Sequence, residues 1–138
     1  MLYVIDTCVL RKLLDHFPRK GNYFERVWDK FENGIAERKY VSVDECFNEL
    51  EKHYDDKNEN VLWLKKYKGM FLTPSNEESL IIKSIFTSSK MRESVHIKNI
   101  LNNRPSADVF VAAKAKILKA IVVTVEEYKP NSAQLPNI

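Results

Sequence analysis

The apolar residues of the chain fall into two patterns, which are short continuous runs and longer stripes on one face of a helix. The first run covers residues 1–5 and ends at Asp6. A helical stripe follows and closes at Pro18, with apolar positions at Val9, Leu10, Leu13, Leu14 and Phe17. A short apolar run is typical of a buried parallel strand, and a stripe is typical of a helix packed on a sheet. We therefore predict a strand, then Asp6 at its carboxyl end, then a helix.

The same alternation continues through the rest of the chain. Helices are predicted over residues 22–39, from 43, over 61–69, 76–86 and 95–101, and from 105. Short strands are predicted at 40–43, at 71–73 as an outer strand, and at 120–124 as a buried strand. Ser42 and Glu45 have the spacing of a capping box, and Ser106 has the position of an N-cap. The pattern predicts a three-layer α/β/α domain whose central sheet is mainly parallel.

Composition limits the class of protein. The 138 residues suffice for one domain, and 44% hydrophobic with 30% charged residues is typical of a folded globular chain. No apolar run approaches the length of a membrane span, so we expect a cytoplasmic protein with no membrane partner. Cys8 and Cys46 have no Cys or His neighbour at zinc-ligand spacing and are too few for a disulfide framework. We predict that both are small buried hydrophobes.

Four carboxylates occupy positions that suggest a common site. Asp6 and Glu126 follow predicted strands, and Asp108 lies in the first turn of a predicted helix. On the helix after residue 43, Glu49 lies about 110° from the centre of the apolar stripe and Glu45 about 150° away. Glu49 is therefore the flanking acid, while Asp44 and Glu51 on the other flank are excluded less firmly than Glu45. The carboxyl ends of parallel strands meet at one sheet edge, where α/β proteins bind ligands.

A cluster of carboxylates repels itself and is stabilised by a bound cation. Oxygen ligands favour Mg²⁺ or Mn²⁺ over zinc, and such an ion assists hydrolysis of phosphodiesters. Each acid also has an ordinary structural explanation, because Asp6 can be an N-cap, Asp108 a first-turn acid and Glu126 a loop residue. Glu49 can pair with Lys52 or His53. The joint arrangement of the four favours the metal site.

The charge balance agrees with an anionic partner. The chain has 22 basic and 19 acidic residues, a formal net charge of +3. If four carboxylates surround a metal ion, the other 15 acids face 22 bases. That excess would attract a polyanion, although scattered lysines are common on any solvated surface.

The segments that carry the four acids resemble the motifs of the PIN domain family. These segments are VIDT at 4–7, VDECFNEL at 43–50, ADVFVAAKA at 107–115 and VVTVE at 122–126. Their order and spacing match the family, and the resemblance is closest to its VapC-like members. The chain departs from the family pattern at Cys8, where Ser or Asn is common, at Val109, where proline is frequent, and at Glu126, where aspartate is usual. The family often continues beyond the position of residue 138.

The resemblance implies an endoribonuclease that depends on Mg²⁺ or Mn²⁺ and acts as the toxin of a toxin–antitoxin pair. Asp6, Glu49, Asp108 and Glu126 would then be the catalytic and metal-binding acids, supported by Thr7 and Thr124. An RNA substrate, an antitoxin protein and a homodimer are the implied partners. The basic residues nearest to the motifs in sequence, which would steer RNA, are Arg11, Lys12, Arg104 and Lys114.

Other chemistries fit the sequence less well. A haloacid-dehalogenase-like phosphatase needs a second acid two residues after the first, where this chain has Cys8. A cysteine phosphatase loop needs an arginine where this chain has Leu14, and three glycines cannot build a phosphate-cradling loop. The alternative that stays open is a PIN-like module that binds nucleic acid or protein without turnover.

Overall fold

The structure is a computed structural model, and it describes residues 1–19, 21, 23–87 and 107–127. Four parallel strands form one sheet in the order β3-β2-β1-β4. The strands are β1 (Tyr3–Ile5), β2 (Tyr40–Val43), β3 (Phe71–Leu72) and β4 (Ile121–Val123). Tyr3 pairs with Tyr40 on one side and with Ile121 on the other, so β1 lies in the interior of the sheet.

Six α-helices within the described residues connect and cover these strands. They are α1 (Thr7–His16), α2 (Glu25–Ala36), α3 (Asp44–His53), α4 (Glu59–Lys66), α5 (Asn76–Thr87) and α6 (Ala107–Leu118), with a 3₁₀ turn at Lys68–Met70 before β3. No helix in the described part of the chain is long and apolar enough to cross a membrane. The fold is α/β with a fully parallel sheet, which confirms the predicted fold class.

The order in which strands are added to the sheet reverses beside β1, which creates a topological switch point. The chain moves from β1 to β2 to β3 on one side and then crosses to place β4 on the other side. Right-handed crossovers therefore put α1 to α4 on one face of the sheet and α5 and α6 on the opposite face. The carboxyl ends of β1 and β4 flank this switch point, which is where open α/β sheets leave a crevice for ligands.

The core is built from the apolar stripes that the sequence displays. Val4, Leu10, Leu50 and Leu64 are fully buried between the sheet and the helices. An aromatic cluster joins α2 to α4, with the rings of Trp28 and Trp63 5.4 Å apart. Helix α6 is buried on several sides because it packs against α5, β1, β2 and β4. The positions of α1 and α6 are thus set by tight packing, and both helices begin at the carboxyl edge of the sheet.

Several predicted elements differ in detail from the structure. The helix predicted over 22–39 is shorter, because Arg38 adopts a left-handed conformation (φ 59°) that ends α2. The last strand is not buried as predicted, since β4 has only one neighbouring strand in the described sheet and Ile121 is 46% exposed. The helix predicted at 95–101 and the N-cap at Ser106 lie outside the described residues. The outer strand predicted at 71–73 is confirmed as β3.

Candidate functional site

Asp6 stands at the junction of β1 and α1. Its backbone is extended (φ −79°, ψ 157°), and it is the N-cap of α1. The carboxylate Oδ1 accepts a hydrogen bond of 2.7 Å from the amide of Thr7. Only 2% of the residue is exposed. Asp6 is therefore held in one orientation by the same contact that begins the helix, so the capping role and a ligand role are compatible.

Thr124 joins Asp6 to the end of β4. Its hydroxyl Oγ1 donates to Asp6 Oδ2 at 3.0 Å and accepts from the amide of Glu126 at 3.1 Å. The amide of Asp6 also donates to the carbonyl of Val123 at 3.0 Å, which extends the pairing of β1 with β4. These contacts fix the segment after β4 against Asp6. The hydroxyl of Thr124 therefore positions Asp6 and the segment that carries Glu126. This is the supporting role that the family resemblance implies for Thr124.

Asp108 completes a group of three carboxylates. It lies in the first turn of α6 and is 9% exposed. One carboxylate oxygen from each of Asp6, Asp108 and Glu126 can be chosen so that all lie within 4.8 Å of one another. Helix α6 approaches the sheet from the opposite face to α1, and both helices start at the switch point. The predicted convergence of these three acids is seen.

Glu49 is not a member of that group. Its Oε1 accepts a hydrogen bond of 3.3 Å from the amide of Ala107, the first residue of α6. A carboxylate at a helix N-terminus satisfies a free amide and interacts favourably with the helix dipole. Glu49 therefore anchors the turn that carries Asp108. Whether it is also a metal ligand stays a prediction.

Cys8 is a part of the site that the sequence interpretation missed. Its Sγ donates to Asp6 Oδ2 at 3.1 Å and lies 3.4 Å from Thr124 Oγ1. Burial raises the pKa of the thiol, and the Asp6 carboxylate raises it further while Thr124 opposes the shift. The neutral thiol is thus a donor to Asp6, and the prediction of a plain buried hydrophobe is wrong. The sequence contained one signal for this contact. Cys8 lies two residues after the N-cap Asp6, so its side chain is close to that carboxylate.

Cys46 matches the prediction better. The thiol is completely buried in α3, and burial raises its pKa to about 12. The hydroxyl of Thr7 lies beside this thiol and opposes the rise in its pKa. That hydroxyl is buried, and no atom of the described residues meets it at full hydrogen-bond geometry. Thr7 therefore contributes its backbone amide to Asp6, and its hydroxyl does not reach the carboxylates.

Ser42 does not form the predicted capping box. Its hydroxyl donates to the carbonyl of Ile5 at 2.7 Å in a buried position, and Val43 is the N-cap of α3 without a side-chain cap. The prediction failed because β2 continues through Ser42, which points the hydroxyl across to β1. The bond instead ties β2 to the residue immediately before Asp6. Ser42 thereby supports the placement of the site from the strand side.

The basic residues near the motifs have different environments. Arg11 and Lys12 are exposed on α1, whereas Lys114 is buried in an ion pair of 2.6 Å with Glu78. Lys114 Nζ also donates to the carbonyl of Thr73 at 2.8 Å. Lys114 therefore cannot steer RNA, and proximity in sequence was a misleading guide. Arg104 lies outside the described residues.

The three carboxylates suit a hard divalent cation. Oxygen ligands of Mg²⁺ lie about 2.1 Å from the ion, so neighbouring ligands of an octahedron are about 3 Å apart and opposite ligands about 4.2 Å apart. The limit of 4.8 Å on the separations of the three carboxylate oxygens is close to the larger of these values. The described cluster offers oxygen ligands only, and such a donor set could hold a divalent cation.

The fold and this cluster define an α/β domain with an acidic site at the switch point of a parallel sheet. Residues 3–138 match the profile of a family described as a domain of unknown function, DUF4411. The chain belongs to this family. Searches of curated proteins and of solved structures gave no significant match.

Proposed function

We propose that the protein is a ribonuclease that hydrolyses RNA phosphodiesters with the help of Mg²⁺ or Mn²⁺. The observation that carries the proposal is the convergence of Asp6, Asp108 and Glu126 within 4.8 Å at the switch point of the sheet. The basic charge balance, +3 overall with part of the acidic charge gathered in one cluster, agrees with a polyanionic substrate. The resemblance to PIN domains is the reason to choose RNA among phosphodiesters.

The residues of the acidic cluster and their neighbours have different roles in this proposal. Asp6, Asp108 and Glu126 would hold the cation, with Glu49 either joining them or acting through the first turn of α6. The ion would supply an activated water and offset the negative charge of the scissile phosphate. Thr124 and Cys8 keep Asp6 Oδ2 in place, because both donate to that oxygen. A protonated Cys8 is a poor nucleophile, so water is the attacking group in this scheme.

The histidines do not contribute to the proposed chemistry. His16 lies at the last turn of α1, at the opposite end of that helix from Asp6. His53 lies at the end of α3, where its ring packs on Tyr54 with centroids 4.8 Å apart. His96 lies outside the described residues. We therefore expect His16 and His53 to be dispensable for the chemical step, and in this scheme, where water attacks, His96 has no role either.

Cleavage of single-stranded RNA by purified protein tests the proposal. Added Mg²⁺ or Mn²⁺ should support cleavage and EDTA should abolish it, while Asp6→Ala should lower the rate by about 100-fold or more. Cys8→Ser should retain most of the activity, because a hydroxyl can also donate to Asp6. Asp56→Asn, which removes an exposed carboxylate in the loop before α4, is the matched control and should leave the rate unchanged.

The outcomes separate the candidate functions. Cleavage that survives EDTA would indicate a metal-free ribonuclease and contradict the scheme. RNA binding without cleavage in either metal would favour the alternative, a PIN-like module that binds without turnover. Loss of activity in Asp56→Asn as large as in Asp6→Ala would mean that the acidic cluster has no special role.

The biological role that we propose is a cytoplasmic toxin held by an antitoxin, and its support is the resemblance to VapC-like proteins. An unrestrained ribonuclease would harm its host, so expression of the wild type alone should arrest growth and Asp6→Ala should not. Harmless expression of an active enzyme would contradict the toxin role and leave the ribonuclease proposal intact. A homodimer is part of the same proposal, and light scattering after size exclusion would test it.

A further inference from the structure

A cavity of about 570 Å³ lies at the opposite edge of the sheet from the acidic cluster. It opens where α2 ends, β2 begins and α4 passes into the 3₁₀ turn. Its lining includes Ile35, Arg38, Tyr40, Lys66, Tyr67 and Met70. Since Tyr40 is the first residue of β2 and Asp6 follows the last residue of β1, the cavity lies at the amino edge of the parallel sheet. None of the predicted catalytic residues lines it.

Two tyrosine rings form ordered walls of this cavity. The Tyr40 ring stacks on Phe31, with centroids 5.4 Å apart and planes 19° from parallel. Gly34 is required behind it, because a Cβ at that position would overlap the Tyr40 ring. The Tyr67 ring packs on Trp63 with centroids 4.9 Å apart. These contacts fix both rings before any ligand arrives, so the two side chains would lose little conformational entropy when a planar ligand stacks on them.

Two basic side chains line the same cavity. Arg38 and Lys66 are exposed, and neither has a carboxylate partner within salt-bridge distance among the described residues. Lys66 Nζ lies 5.3 Å above the Tyr67 ring. Two acids on α2 and at its end have other partners, since Glu37 pairs with Lys39 at 2.8 Å and Glu32 accepts hydrogen bonds from the indole of Trp63 at 3.2 Å and from the hydroxyl of Tyr67. The cavity therefore combines aromatic walls with positive charge that has no partner in the described chain.

We propose that this cavity binds a nucleoside monophosphate group. The base would lie against the tyrosine rings and the apolar side chains of Ile35 and Met70, and the phosphate would bind Arg38 and Lys66. Aromatic rings stack on any base, and the planar guanidinium matches two phosphate oxygens. The volume falls within the range typical of small-ligand pockets, about 300–1,000 Å³. This size and shape favour a compact aromatic anion over an extended acidic peptide.

The backbone of Arg38 provides a variant that removes the cation without harming the fold. Arg38 has φ 59°, and it is the left-handed residue after α2, where its amide bonds the carbonyl of Ile35. Glycine is the favoured residue at such a helix end, so Arg38→Gly should fold at least as well as the wild type. Lys119 has φ 52° at the corresponding position after α6 and does not line the cavity. Lys119→Gly is therefore a control matched in charge and in backbone conformation.

Calorimetric titration with adenosine 5′-monophosphate in EDTA tests the proposal, because EDTA removes any metal-dependent binding at the acidic cluster. The wild type should bind, and adenosine or ribose 5-phosphate alone should bind more weakly. Arg38→Gly should weaken binding by about tenfold or more, while Lys119→Gly and Asp6→Asn should stay within about twofold of the wild type. Absence of binding at millimolar nucleotide, or equal weakening by Lys119→Gly, would overturn the proposal.

A second arm identifies the source of the nucleotide. A short single-stranded oligoadenylate is titrated under the same conditions. Tighter binding than the mononucleotide, lost in Arg38→Gly, would mean that the cavity takes a residue of an RNA strand. Binding of the mononucleotide alone would mean a free nucleotide. Binding of a glutamate-rich aromatic peptide in place of either, with the same dependence on Arg38, would overturn the proposal in favour of a protein partner.

Discussion

Two threonines at the acidic site allow a matched test of how it is held together. Thr124 Oγ1 donates to Asp6 Oδ2 and accepts from the amide of Glu126, at 3.0 and 3.1 Å. Thr7 Oγ1 is also buried, but no atom of the described residues meets it at hydrogen-bond geometry. The family resemblance assigns a supporting role to both hydroxyls. The structure assigns it only to that of Thr124, so Thr124→Val and Thr7→Val should behave differently.

The magnitudes follow from these contacts. A hydrogen bond to a charged group contributes about 1.5–3 kcal/mol, and an amide left without its acceptor costs about 1 kcal/mol more. Because Thr124 is half-buried and water can replace part of both contacts, we expect Thr124→Val to lower the free energy of unfolding by about 2–3 kcal/mol. For a domain of this size that corresponds to a decrease in Tm of about 6–12 °C. Thr7→Val should be neutral or stabilising by up to about 1 kcal/mol, because it removes a buried hydroxyl without a partner.

Thermal unfolding in EDTA and in Mn²⁺ measures both variants. Thr124→Val should melt lower than the wild type in EDTA and gain less from Mn²⁺, since a cation stabilises in proportion to its affinity for the folded site. Thr7→Val should keep the full gain. Equal losses in the two variants would refute the assignment of the site's hydrogen bonds. An unchanged Tm in Thr124→Val would show that the link between β4 and Asp6 contributes no stability.

The remaining predictions concern buried residues that are not members of the acidic cluster. Lys114→Met should destabilise the fold by about 3–5 kcal/mol because it leaves Glu78 buried without its partner, and adding Glu78→Leu should recover most of the loss in a denaturant titration. The raised pKa of Cys46, about 12 against an ordinary value of 9.0, means that its stabilising contribution is complete below pH 9 and lost as the pH rises toward 12. Urea titrations between about pH 8 and pH 10 should show stability falling faster in the wild type than in Cys46→Ala, and equal slopes would contradict the shift. Gly34→Ala should lower the Tm because its methyl group overlaps the Tyr40 ring, yet the response to Mn²⁺ should be retained.

The convergence of Asp6 and Glu126 could be predicted from the sequence because it depends on a local pattern. Each acid follows a short apolar run, and the carboxyl ends of parallel strands share one edge whatever the connections between them. Asp108 could be placed with them because a first-turn acid lies at the start of a crossover helix, which begins at that same edge. These predictions required no knowledge of which helix packs on which.

The features that could not be predicted all depend on partners that are distant in sequence. Ser42 has the spacing of a capping box, yet its hydroxyl bonds the carbonyl of Ile5 on the adjacent strand. Lys114 resembles a solvated lysine until Glu78 on another helix is placed beside it. A lone cysteine indicates a small buried hydrophobe, but the position of Cys8 beside the N-cap of α1 brings its thiol to Asp6. Local periodicity predicts which face of a helix or strand is buried. It does not predict which distant residue will form a hydrogen bond or an ion pair with a polar atom on that face.

Glu49 shows how a correctly chosen residue can act through another element. Helical projection placed it at the flank of α3, and there its carboxylate accepts from the amide of Ala107. The next residue is Asp108, so the start of α6 and the position of that carboxylate depend on a contact with Glu49. The three clustered acids come from three separate segments, and within the described residues strand pairing fixes those after β1 and β4. At the start of α6, the contact that the described residues provide comes from Glu49, in the opposite layer of the fold.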